Sequence, residues 1–85
     1  MKSFTYVVQD AIGLHARPAG MLVKEAKKFS SMITVQKGEK TAGALKLMAL
    51  MGLGVKCCET IVVSADGEDE EAAICAMQTF FAENL

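Results

Sequence analysis

Phe4, Tyr6 and Val8 alternate with Ser3, Thr5 and Val7, which is the period of a strand with one buried face. The period then changes. Ala19, Leu22, Val23 and Ala26 recur at helical spacing, Phe29 extends their stripe, and Lys24, Glu25, Lys27 and Lys28 fall on the other side, so a helix with one inward face is predicted. Met32 to Gln36 is rich in β-branched residues, and Gly38 offers a turn into a short strand near Lys40 to Ala42; the two should form a hairpin. A fourth strand is predicted over Thr60 to Ala65, ended by Asp66-Gly67. Glu68, Asp69, Glu70 and Glu71 then crowd the start of a last helix, where the macrodipole favours carboxylates, and Ala73, Ile74, Met77, Phe80 and Phe81 form its inward stripe. The acidic run is expected to be a solvated helix opening and not a metal site. Cys75 falls on the apolar side of this helix and reads as a small core residue.

The segment Ala44 to Gly54 is helical in length but apolar nearly all round, with Leu45, Leu47, Met48, Leu50, Met51 and Leu53 interrupted by Lys46. A short helix cannot bury every face in so small a domain. Leu50 and Leu53 are expected in the core, and the others are read either as core or as an exposed apolar patch of the kind that docks partners, for which methionine is well suited. The order β-α-β-β-α-β-α predicts an α+β architecture, a four-stranded antiparallel sheet covered on one face by three helices.

The chain has 85 residues, enough for one small domain over 1–85 and no second one. At 52 % hydrophobic residues and mean hydropathy +0.30 it is too apolar for disorder. Nine basic and ten acidic residues leave a net charge of −1, so nucleic acid is not an expected partner. No apolar run approaches a membrane span and the first residues are too poor in apolar side chains for a signal peptide, which predicts a cytoplasmic protein without membrane insertion. The three cysteines, two of them adjacent at Cys57-Cys58, have neither a disulfide framework nor metal-ligand spacing and are expected to be reduced thiols just before a strand or in the core. No metal or cofactor is implied.

The single histidine lies in Gly13-Leu14-His15-Ala16-Arg17-Pro18-Ala19. Proline this early in a helical pattern belongs to the first turn, where its missing N–H costs nothing, so the helix should open near Ala16. A helix start presents unpaired N–H groups and the positive end of the macrodipole. A phosphate on His15 would gain those donors and Arg17, while the same field disfavours imidazolium and leaves the nucleophilic neutral ring. A lone histidine is otherwise most often a surface or capping residue, Arg17 an ordinary solvated side chain, and Lys24, Lys27 and Lys28 a solvated helix face.

The run Gly-Leu-His-Ala-Arg-Pro-Ala resembles the phosphorylation-site signature of HPr, the histidine-containing phosphocarriers of the bacterial sugar phosphotransferase system. Chain length, the helix after the motif, the Lys46 to Gly54 apolar segment and the acidic opening of the last helix resemble the family in order and spacing, so the whole chain is covered. The resemblance implies an open-faced β-sandwich in which the His15 loop lies beside the short second helix. It implies that His15 takes a phosphoryl group on Nδ1 from enzyme I, itself charged from phosphoenolpyruvate, and passes it to IIA domains of sugar transporters. Such a protein is a carrier with transferase-like chemistry and not a complete enzyme. Ala16 and Pro18 set the helix start, Arg17 stabilises the phosphate, and Gly20, Met21, Lys24, Lys27, Lys46, Leu47, Met48 and Met51 are the expected partner surface of a monomer. The chain departs from the pattern at one place: many Gram-positive members carry a regulatory serine where Lys46 stands, and lysine has no hydroxyl for a kinase. A paralogue in a regulatory, nitrogen-branch phosphorelay and a non-catalytic interaction module of the same fold are the competing readings.

Overall fold

A computed structural model describes residues 1–85. Its elements are β1 (Lys2–Val7), α1 (Ala16–Ala26), β2 (Met32–Lys37), β3 (Lys40–Gly43), α2 (Leu47–Gly52), β4 (Thr60–Asp66) and α3 (Glu70–Asn84). The strands pair antiparallel in the order β1-β4-β2-β3, so β4 is inserted between the first strand and the hairpin. Phe4 lies opposite Val63 and Tyr6 opposite Ile61, while Val35 lies opposite both Val63 and Ala42, which brings the apolar set of every strand to one face. The other face carries Ser3, Thr5, Thr34, Gln36, Val62 and Ser64 and has no covering layer. The expected open-faced architecture is therefore the observed one.

The hairpin turns through Gly38-Glu39 between the paired residues Lys37 and Lys40. Gly38 has φ +59° at the first central position, where a type II′ turn requires glycine. Leu22, Leu50, Met77 and Phe81 bring the three helices onto the covered face, each essentially without solvent contact. Phe81 is the centre of this layer: its ring lies 5.6 Å from Tyr6 and from Phe80 and 6.2 Å from Phe4, and its carbonyl accepts the Tyr6 hydroxyl at 3.0 Å.

Two expectations are corrected. Cys75 is exposed, because it stands two residues after the buried Ala73 and therefore about 200° around α3, away from the Ala73, Met77, Phe80 and Phe81 stripe. The second helix is shorter than the apolar segment suggested. The Ala44 N–H donates to the Ile33 carbonyl at 2.8 Å, extending the hairpin ladder, and the Lys46 N–H donates to the Gly43 carbonyl at 3.0 Å in a turn, so α2 begins only at Leu47. Leu50 and Leu53 are buried as expected, together with Ala44.

The acidic opening of α3 is more than a solvated cap. Asp69 accepts the Ser30 N–H and the Ser31 N–H, both at 2.9 Å, and also the Ser31 hydroxyl, tying the helix start to the loop before β2. The Ser31 hydroxyl first, and the Ser30 amide next, hold the Asp69 carboxyl below its ordinary range. Glu59 is lowered in the same sense by Lys37, 3.0 Å away. A carboxylate whose pKa is lower in the folded chain adds stability that is complete at neutral pH and is lost as pH falls through the lowered value, below about pH 4. Urea midpoints measured along a pH series should fall over that range, and the decline should be shallower in Asp69→Asn. Identical acid limbs in the two proteins would remove Asp69 from this account.

Candidate functional site

The loop between β1 and α1 is held at several points, by distant backbone and by its own aspartate. The Val8 N–H donates to the Glu59 carbonyl at 3.0 Å, and the Asp10 N–H donates to the Leu85 carbonyl at 2.8 Å, which brings the last residues of the chain beside the loop. The Asp10 side chain then folds the loop on itself: Oδ2 accepts the N–H groups of Ile12 and Gly13, each at 3.1 Å, as aspartate does in turns. Gly13 has φ +85°, and a Cβ there would stand 2.3 Å from the Val55 carbonyl oxygen. That oxygen accepts the Leu14 N–H at 3.0 Å while the Leu14 side chain enters the core. Only glycine permits this close approach.

The result of this stapling is that His15 arrives as the N-cap residue of α1, extended at φ −110° and ψ −172°, with its imidazole not spent on capping and 38 % exposed. Its carbonyl accepts the Ala19 N–H at 3.0 Å and closes the first turn. Pro18 has no N–H, and the N–H groups of Ala16 and Arg17 have no intramolecular acceptor, so two backbone donors point out of the helix start. No acidic residue occupies this first turn. The Arg17 side chain enters none of the ion pairs of the molecule, whereas Lys28 is engaged by Glu25 and Lys37 by Glu59. A nucleophilic ring, two free amides and a free guanidinium at one helix start form a site for a phosphoryl group.

These groups open into a shallow depression of about 400 Å³ lined by His15, Arg17, Pro18 and Met21 together with Asp10, Ile12, Glu83 and Asn84. Asp10 Oδ2 stands 3.9 Å from His15 Nε2. Asp10, Ile12, Glu83 and Asn84 were not read from the sequence. The spacing of Asp10 and Gly13 does signal a turn, but nothing local indicates that the carboxylate returns to the imidazole. Glu83 and Asn84 reach the site only because α3 ends beside the loop.

The residues expected to meet partners are spread over α1 and α2, which pack against each other. Met21 borders His15. Lys24 lies on the α1 surface facing α3 and Lys27 is exposed at the end of α1. A Cβ at Gly20 would meet nothing within 4 Å, so no internal packing requires glycine there. On α2, Leu50 turns inward and leaves Leu47, Met48 and Met51 39 %, 77 % and 38 % exposed. Lys46 occupies the N-cap of α2 without capping it through its side chain. No α2 residue lines the depression at His15; the apolar rim there is made by Ile12 and Met21.

Residues 2–83 match the family described as "PTS HPr component phosphorylation site". The chain belongs to the HPr family. The phosphocarrier protein HPr of Mycoplasma capricolum is 42 % identical over 78 residues, covering 92 % of this chain and 88 % of that protein. Among solved structures, a mycoplasma histidine-containing phosphocarrier protein superposes with TM-score 0.93 at 39 % identity over 96 % of this chain and 93 % of that one. An HPr from Thermoanaerobacter tengcongensis superposes with TM-score 0.87 at 43 % identity over the full length of both. The open sheet, its three helices and their order are thus those of HPr structures, and the chain is a phosphocarrier of the phosphotransferase system. No helix is long and apolar enough to cross a membrane.

Proposed function

We propose that His15 accepts one phosphoryl group on Nδ1 from phospho-enzyme I and passes it to IIA domains of sugar transporters, with Arg17 and the Ala16 and Arg17 amides holding the phosphate between the two transfers. The observation that carries this reading is the helix start itself: an imidazole left free of capping beside two unpartnered N–H groups and an unpaired guanidinium. In each transfer the ring nitrogen or the acceptor attacks phosphorus in line, the new bond forming as the donor bond breaks. The equatorial oxygens gain charge and meet donors already in place, so no metal is called for. Asp10 on the Nε2 side favours the tautomer with its proton on Nε2 and leaves the Nδ1 lone pair as nucleophile. After transfer, the carboxylates of Asp10 and Glu83 oppose a lasting phosphate charge, which suits a carrier that must give its cargo up.

Partners would meet the His15 rim and the exposed side chains of α2, with Lys24, Lys27 and Lys46 around them. Such a surface fits partners that are apolar at the centre and acidic at the edge. The protein would do this in the cytoplasm, as a single domain and a monomer whose docking face is free for donor and acceptor in turn.

The test is incubation with phosphoenolpyruvate and catalytic enzyme I, followed by intact mass and phosphorus-31 NMR. One acid-labile phosphate on a ring nitrogen is expected; a folded protein that takes none would overturn the assignment. Arg17→Ala should keep the fold and lower the rate of phosphate acceptance on the order of 100-fold, the usual loss when one fixed donor to a developing oxyanion is removed. An unchanged rate would assign Arg17 to the solvated surface.

A further inference from the structure

Cys57 and Cys58 take no part in the site at His15, and their geometry is specific. They occupy the two central positions of a turn closed by the Glu59 N–H on the Lys56 carbonyl at 3.2 Å and braced by the Lys56 N–H on Glu59 Oε1 at 2.7 Å. Cys58 has φ +73°, the only non-glycine residue of the chain in the left-handed region, and its N–H is fixed to the Val8 carbonyl at 2.7 Å. The Cys57 thiol points at the Gln9 carbonyl, 3.8 Å away. The two sulfurs are thereby held 3.3 Å apart on an accessible turn.

That separation discriminates among the chemistries open to two thiols. A disulfide between neighbours is disfavoured, because adjacent Cα atoms are about 3.8 Å apart while ordinary disulfides span roughly 4.4–6.8 Å. Tetrahedral zinc needs four ligands, and no cluster of three or more histidine, cysteine or acidic side chains surrounds the pair. A linear two-coordinate ion would require the sulfurs roughly 4.6 Å apart for bonds of ~2.3 Å. Two bonds of that length enclosing nearly a right angle span roughly 3.3 Å. This is the shape of a pyramidal trivalent arsenic centre, which is satisfied by two sulfurs and one group of its own.

We propose that the Cys57-Cys58 turn is a vicinal-dithiol site that takes one trivalent arsenical through both sulfurs. In the reaction with an organoarsenic(III) oxide, two S–H bonds and the arsenic–oxygen bond break, two arsenic–sulfur bonds form, and the oxygen leaves as one water; nothing is oxidised or reduced. The contact with the Cys58 sulfur, whichever thiol donates, pushes the Cys57 thiol up, which slows the thiolate-dependent route to oxidation. The turn packs on Val8 and Gln9, just before Asp10, so the bound group would lie against the base of the His15 loop without occupying it.

Phenylarsine oxide is the probe. Native protein in excess glutathione should acquire one phenylarsenic group with loss of one water by intact mass, and an added dithiol should remove it. Cys57→Ser and Cys58→Ser should each weaken binding by at least about 100-fold, since a single sulfur loses the intramolecular second bond. Cys75→Ser should bind as the parent does. Cys58→Gly, which relieves the positive φ and so keeps the turn, should lose binding equally. An adduct that persists in Cys57→Ser or Cys58→Gly, or one that forms only after denaturation, would overturn the proposal. None of these readouts depends on the phosphocarrier reading.

Discussion

Replacing His15 with alanine is expected to abolish phosphate acceptance while leaving the protein folded. His15 is the only histidine of the chain, so no second ring can substitute for it. Its imidazole makes no capping bond and is partly exposed, and the first turn of α1 is closed by its backbone carbonyl, which alanine retains. A change in stability within about 0.5 kcal/mol is therefore expected, the usual range for surface substitutions. With phosphoenolpyruvate and enzyme I present, intact mass should show the parent gaining one phosphate and His15→Ala gaining none. An acid-labile phosphate on the variant would place the acceptor elsewhere. Loss of the native amide spectrum would instead show that the ring supports the loop.

The second large effect is expected at Gly13. An alanine at φ +85° costs about 1–2 kcal/mol from the left-handed conformation alone. Its Cβ would also stand 2.3 Å from the Val55 carbonyl oxygen and 2.7 Å from the Lys56 Cα, both backbone atoms that cannot turn aside. The Leu14 amide bond to that carbonyl must open or the 53–56 segment must move. Together these should destabilise by about 3 kcal/mol or more, the class of effect found where backbone is strained or buried packing is broken. A domain of this size has a total stability on the order of 4–13 kcal/mol, so the loss is a large share of it. Urea unfolding measures this directly, with Gly20→Ala as the contrast. The Cβ at Gly20 meets nothing within 4 Å inside α1, so that variant should be more stable by about 0.5–1 kcal/mol. If Gly13→Ala unfolds within 1 kcal/mol of the parent, the loop is not seated on Val55 in solution. Because the same contact sets where α1 begins, Gly13→Ala should also slow phosphate acceptance in the fraction that remains folded.

Elements with a single clear period could be read directly. The alternation through Phe4 and Tyr6, the helical stripe of Ala19, Leu22 and Ala26, and the stripe of Ala73, Met77 and Phe81 each follow from burying one face of a regular element, and each appears in the structure over nearly the expected residues. The opening of α1 at Ala16 was equally legible, since Pro18 and the residues around it act through local backbone geometry. A clear period does not place every residue, as the exposed Cys75 on α3 shows, and where the period is absent the extent of an element stays open. The all-apolar run from Ala44 to Gly54 could not show that hairpin hydrogen bonding claims Ala44 and delays α2 to Leu47, because that bond comes from Ile33 on another strand.

What the sequence determined by itself is therefore the list of elements and the presence of a histidine, two free amides and an arginine at one helix start, all of which are set within a few residues of chain. The tertiary structure alone decided that β4 lies between β1 and β2, that Asp10, Glu83 and Asn84 share the depression with His15, and that Cys57 and Cys58 face each other in a braced turn. Those arrangements depend on contacts between residues far apart in the chain, whose energies come from the packing of whole layers and leave no mark on local pattern.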